Sequence, residues 1–258
     1  MRRPLTLLLA LCALTAMVAA SIAVAAKPTV VRAGNVMMKF NGGVTPKKLP
    51  RKRMAPITLQ ASGNISTLNG THPPAASQIR IDFDKNGRTN ARGLPVCKPG
   101  KLQARTTKAA KRACPKAIVG SGNTSVQVQF PESAPFTAKG PLVLFNGGVR
   151  GGKTKMFIHA YVSVPAPTAI VTSVNITKIR KGRYGTRADA RIPVIAGGSG
   201  SVTSFNLKVH RKFRRGGKRQ SYLVARCASG RFFADATAVF RGGPRVRGTI
   251  VRPCRPRG

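Results

Sequence analysis

Apolar residues recur at every second position along much of this chain. In QIRIDFD, Ile79, Ile81 and Phe83 face one way while Arg80, Asp82 and Asp84 face the other, the period of a strand with one buried side. SVQVQF repeats the pattern with Val126, Val128 and Phe130. SFNLKVHRKF places Phe205, Leu207 and Val209 on one face, meets Gly216-Gly217 and resumes as SYLVARC, which reads as a hairpin. Further strands are expected at residues 56–66, 142–145, 155–164, 169–179, 185–194, 232–240 and 246–251. With glycine and proline between them, these runs predict roughly ten short strands in an antiparallel β-sandwich or barrel.

One short helix is expected between Cys97 and Cys114. In KPGKLQARTTKAAKRACP, helical spacing puts Lys101, Arg105, Lys108 and Arg112 on one stripe beside Leu102, Ala109 and Ala113. Pro115 ends the helix. A threonine of the Thr106-Thr107 pair offers a cap at which it can break.

The chain opens with Arg2 and Arg3, an uncharged apolar run, and Ala23-Val24-Ala25-Ala26 before Lys27. This is the layout of a secretory signal peptide over residues 1–26, cleaved after Ala25 or Ala26. The alternative is an N-terminal membrane anchor, since the run is long enough to cross a bilayer. Residues 27–54 read as a basic arm or first strand, with KKLPRKR as its charged part, and residues 55–258 as a single antiparallel β-domain.

Cysteine usage agrees with export. Once Cys12 is assigned to the leader, Cys97, Cys114, Cys227 and Cys254 form an even set. Four cysteines allow three pairings, of which the short separations favour Cys97 with Cys114 and Cys227 with Cys254. No C-x-x-C occurs and His72, His159 and His210 are scattered, which excludes the spacing of a zinc site.

Two motifs imitate ligand loops. GGVRGGKT, residues 147–154, fits G-x-x-x-x-G-K-[ST]. A phosphate loop, however, needs a helix to begin at the Lys-Thr pair, so that free backbone N–H groups and the helix dipole point at phosphate. Here Met156, Ile158, Ala160 and Val162 alternate with Phe157, His159 and Tyr161, so a strand follows and no nucleotide is expected. DFDKNGRTNARG matches a calcium loop at Asp82, Asp84, Asn86 and Gly87, but Gly93 stands where a bidentate Glu is required. An Asn-Gly turn is the expected structure. His159 and Asp189 are the residues on which a secreted hydrolase would have to be built, yet no catalytic constellation is spelled out. No cofactor or metal is called for. The sequons at Asn64, Asn69, Asn123 and Asn175 are read as chance in a Ser/Thr-rich chain.

Charge carries the positive signal. The chain holds 46 Lys and Arg against 5 acids, a net charge of +41. Self-repulsion of that size opposes compaction, so the fold must rest on a strong core and crosslinks, or on bound anions. Candidate polyanion-binding residues are Lys101, Arg105, Lys108 and Arg112 in the helical segment, and Arg211, Lys212, Arg214, Arg215, Lys218 and Arg219 around the Gly216-Gly217 hairpin. Arginine suits bidentate capture of phosphate, sulfate or carboxylate. Trp is absent, and many of the 11 Phe fall at core positions, leaving little to stack on sugars or bases.

The succession GLPVC, ACPKAIVGSG, PFTAKGPLVLFNG, KRQSYLVARC and IVRPCRPRG resembles an uncharacterised family of exported proteins from high-GC Gram-positive soil bacteria. The resemblance implies export and a shared fold, and carries over no catalytic residues. The leading reading is a secreted or envelope-associated, non-enzymatic β-domain. It would bind anionic cell-wall polymers, acidic polysaccharides or anionic lipid headgroups electrostatically, with no specific nucleic acid partner. Alternatives are a carrier of a lipid or other amphiphile, and a secreted hydrolase.

Overall fold

The computed structural model describes residues 27–164 and 166–258; the leader expected over residues 1–26 lies outside them. In chain order the elements are β1 (Thr29–Ala33), β2 (Val36–Thr45), β3 (Lys48–Pro50), β4 (Ala55–Pro56), β5 (Thr58–Thr67), β6 (Ala76–Asp84) and β7 (Gly87–Thr89), followed by the helix α1 (Thr107–Ala113). Then come β8 (Ile118–Val128), β9 (Phe136–Arg150), β10 (Lys153–Val162), β11 (Thr168–Lys181), β12 (Tyr184–Arg191), β13 (Gly200–Val209), β14 (Lys212–Arg215) and β15 (Lys218–Ser221). The last four are β16 (Leu223–Ala225), β17 (Arg231–Phe240), β18 (Arg245–Pro253) and β19 (Arg255–Arg257).

Twelve strands form one sheet in the order β1-β2-β5-β13-β8-β9-β10-β11-β12-β6-β17-β18, and every neighbouring pair is antiparallel. The sheet curls until β1 lies against β18, so of the two expected architectures the chain adopts the barrel. No ladder joins these two edges among the described residues; side chains close the seam instead. Phe40 and Val31 pack where Gly248 has no side chain, and a Cβ there would stand 2.7 Å from each. A larger residue at this position would force the Phe40 ring and the Val31 side chain to shift within the seam.

The strands are longer than the sequence alternation suggests, reaching 15 residues in β9 and 14 in β11. Residues 29–45, within the segment read as a basic arm or first strand, form the β1–β2 hairpin that supplies one edge of the sheet. Alternation assigns Met38, Phe40, Ile79, Ile81, Val126, Leu142, Met156, Ile170 and Val174 to the lumen, where two apolar clusters collect. Thr186, Ala188 and Ala190 continue the inner face along β12.

The outer face of β9 and β10 is also apolar, through Val143, Phe145 and Phe157, and it is covered. Residues 97–117 fold over it, burying Leu102, Ala110 and Ala117 against those side chains. The Cys97–Cys114 disulfide ties this cover together. Within it the expected short helix forms as α1, after a 3-10 turn at Pro99–Lys101, and it starts where the Thr106 hydroxyl accepts the Ala109 N–H at 3.2 Å. The threonine cap sets that start because it satisfies an otherwise orphaned donor.

The second disulfide, Cys227–Cys254, gathers Leu49, Ile57 and Ala225 into a small core at one end of the barrel. Here run the three-stranded sheet β4-β16-β7, the β14–β15 hairpin and the parallel pair β19-β3. We call this the Cys227 end and the opposite one the Glu132 end. Two disulfides of this kind belong to an oxidising, extracellular setting. No helix among the described residues is long and apolar enough to cross a membrane.

Candidate functional site

Both ligand-loop imitations resolve into turns. β9 and β10 are joined by Gly151 and Gly152, with φ of +56° and +72°. A two-residue hairpin with positive φ at both positions favours glycine. Thr154 is a strand residue, so no helix N-terminus faces the loop. In the calcium-like segment, Asp84 accepts the Asn86 N–H and side-chain amide, both at 2.9 Å, and the Phe233 N–H at 3.2 Å. Its oxygens hold the turn and tie it to β17.

The two residues on which a hydrolase would rest are held in the wall. His159 is fully buried beneath the Cys97–Cys114 cover, with Nε2 3.0 Å from the Arg105 carbonyl. A carbonyl only accepts, so Nε2 carries the proton and Nδ1 is a bare nitrogen without a partner. Burial holds its pKa below the ordinary histidine value. Asp189 accepts two hydrogen bonds from the Gln78 amide, at 2.7 and 2.9 Å, and pairs with Arg80 at 3.5 Å.

The other acids are consumed in the same way. On the outer wall, Arg187 grips Asp82 through Nε at 2.6 Å and Nη2 at 2.8 Å, with Lys181 at 3.8 Å. These partners, led by the Arg187 hydrogen bond, lower the Asp82 pKa. Arg247 grips Asp235 at 2.9 Å. Glu132 lies exposed in a connection at the far end.

The cations, by contrast, gather at one end. Antiparallel order sends the connections after β2, β6, β9, β11, β13 and β18 to the Cys227 end. They carry the clusters Lys47 to Arg53, Lys98 to Lys116, Arg211 to Arg219 and Arg255 to Arg257. The connections at the Glu132 end contain one Lys or Arg, Arg241. None of the ion pairs among the described residues engages a cation from the Cys227-end connections.

The residues expected to meet a polyanion are distributed over this end, not along one helical stripe. Lys101 closes the 3-10 turn, Arg105 precedes α1, and only Lys108 and Arg112 lie on the helix. All four are exposed. Lys212, Arg214, Arg215, Lys218 and Arg219 are exposed on the β14–β15 hairpin. Arg211 is half-buried and joins the two groups, donating from Nη2 to the Lys116 carbonyl at 3.4 Å. The Arg215 stem lies across Gly93, where a Cβ would meet its Cδ at 2.9 Å. The hairpin is thereby seated against the segment that leads into Cys97.

Inside the barrel a cavity of 330 Å³ separates the two apolar clusters. Its middle is walled by Ile79, Val126, Leu142, Met156, Ile170 and Val174, and Ile192 and Ile195 stand towards the Glu132 end. Polar groups enter from the Cys227 end: Arg88, Thr89, Tyr222 and Arg252. Arg252 and Tyr222 were not singled out from the sequence. Arg252 continues the inward register of β18 after Val246, Gly248 and Ile250 and stands opposite Phe232; an arginine in that register was the available signal. Tyr222 is 1% exposed, and burial drives its pKa upward.

Comparison with protein-family models, curated proteins and solved structures finds no match for this chain.

Proposed function

We propose that this protein is exported by its N-terminal leader and adheres through the Cys227 end to anionic polymers of the cell envelope. The observation that carries this reading is the segregation of charge. Fixed lysines and arginines crowd one end of a disulfide-bonded barrel, while Asp82, Asp189 and Asp235 are locked into the wall by arginines, Asp84 is buried with its oxygens engaged, and Glu132 lies at the other end. An anion approaching that end meets cations without competing carboxylates. Guanidinium forks on a fixed hairpin suit the phosphates, sulfates and carboxylates of wall polymers, acidic polysaccharides and lipid headgroups. Such binding is strong at low ionic strength, sensitive to salt and tolerant of sequence or pattern in the polymer. The resemblance to exported proteins agrees with an envelope setting.

The oxidised chain lacking residues 1–26 is passed over phosphocellulose and over a heparin matrix in low salt. Retention, with elution only at high salt, is the expected result. Passage through both matrices at low ionic strength would remove the proposal.

A further inference from the structure

We infer that the barrel lumen binds a single-chain amphiphile with an anionic head group, its tail among the lumen aliphatics and its head towards Arg252. This goes beyond adhesion by the outer surface and does not rest on it.

The cavity has the size and polarity for such a molecule. At 330 Å³ it falls at the low end of small-molecule sites, roughly 300 to 1,000 Å³, which suits one chain rather than two. Its middle is aliphatic, and such a lining offers a tail nothing but burial. The walls are strands of one hydrogen-bonded sheet of twelve, curled until β1 meets β18, so facing side chains are not free to collapse across the gap.

The polar pole is defined by two unmatched groups. Arg252 donates from Nε to the Gly42 carbonyl at 2.7 Å and from Nη1 to the Val251 carbonyl at 2.8 Å. Its Nη2 donates to the Lys27 carbonyl at 3.3 Å and to the Asn41 side-chain oxygen. These acceptors are all neutral, and no carboxylate pairs with Arg252 among the described residues. The guanidinium has five N–H donors, so one on Nη1 and the whole charge remain to be matched. Burial destabilises that charge and lowers its pKa, and an anion beside it would reverse the effect. The second group is the Tyr222 hydroxyl, buried at the cavity lining without a hydrogen-bond partner. Buried hydroxyls are rarely left unsatisfied, and a ligand oxygen would satisfy this one. Asp84 also lines this end, but its oxygens are engaged by Asn86 and the Phe233 N–H.

The test uses the oxidised chain lacking residues 1–26, stripped of co-purified lipid and titrated with dodecanoate, dodecan-1-ol and dodecylammonium. Dodecanoate is expected to bind at least about tenfold more tightly than the alcohol, and dodecylammonium most weakly. Ala160→Trp fills the lumen and should abolish binding of all three, which separates the site from fatty-acid adsorption on surface cations. Arg252→Gln should bring dodecanoate to the affinity of the alcohol, and Arg252→Lys should restore most of the difference. Tyr222→Phe probes the same head-group pole if the Arg252 variants do not fold, and should weaken dodecanoate and dodecanol alike by several-fold. No binding of any probe, or dodecanoate binding that survives Ala160→Trp, would overturn the site. Equal affinity for carboxylate and ammonium probes would overturn the head-group assignment alone. Retention on phosphocellulose is decided separately.

Discussion

His159 and Arg105 join the barrel wall to its cover, the ring Nε2 lying 3.0 Å from the backbone carbonyl that precedes the Thr106 cap. The bond pins the start of α1 to β10, and it works only while the imidazole is neutral on Nδ1. Protonation would bury a second N–H without an acceptor, and burial holds the pKa below 6.5. The unfolded chain binds the proton more readily, so stability is full above pH 6.5 and declines as pH falls below it, by at most about 1.4 kcal/mol per pH unit from this residue. His159→Gln, which can still donate to the carbonyl, should flatten that decline. Urea midpoints at pH 7.5 and 5.5 check it; equal acid sensitivity in the two proteins would refute the assignment.

Asp82 faces Arg187 across β6 and β12 and Asp235 across β6 and β17. Two carboxylates in register are tolerated because each has its own arginine. Asp82→Asn should therefore destabilise the barrel by about 2 kcal/mol, mostly through loss of the two charge-assisted bonds to Arg187. The Asp82 pKa is depressed in the folded state, so its contribution is present above the usual carboxylate range and is lost as pH drops through that depressed value. Chemical denaturation at pH 7 and below pH 4 should show a smaller acid-side loss in the variant.

The alternation of Ile79, Ile81 and Phe83, or of Phe205, Leu207 and Val209, announces strands because a half-buried sheet leaves a period-two record. Other features leave a weaker one. Val36, Met38 and Phe40 alternate too, but beside the dense charge of KKLPRKR the segment reads equally as a basic arm or as a first strand; the charge of KKLPRKR belongs to the connection after β2. Gly120 and Gly122 conceal the first half of β8, where they offer no side chain to read. They are needed because a Cβ on either would collide with the carbonyls of Lys208 and Asn206 on β13. The lumen is hidden for a different reason. Alternation says which side chains point inward, but whether they meet depends on how many strands share the circumference.

The Cys97–Cys114 disulfide holds a cover over Phe145, Phe157 and Val143. Replacing both cysteines with serine should cost about 3 kcal/mol by freeing the unfolded chain, and should loosen the cover before the barrel. The expected signature is increased binding of an apolar fluorescent dye with little change in the strand signal by circular dichroism. The same replacement at Cys227 and Cys254 frees the small core around Leu49 and Ala225. It should lower stability by a similar amount, also about 3 kcal/mol, without exposing the Phe145 face.

If adhesion resides at the Cys227 end, position must matter more than total charge. Lys212, Arg214, Arg215, Lys218 and Arg219 are exposed on a two-stranded hairpin whose ladder is made by backbone, so their replacement by glutamine should leave the barrel intact. Arg32, Lys39, Lys139, Arg191 and Arg245 are exposed on the wall and provide a set of equal charge. The hairpin variant should elute from heparin at clearly lower salt. Its affinity should also depend less steeply on salt, by roughly 0.7 to 0.9 in log–log slope for each polymer anion that the hairpin no longer neutralises. The wall variant should move little by either measure. Equal shifts in the two variants would mean that net charge alone drives retention, and the Cys227 end would lose its distinct role.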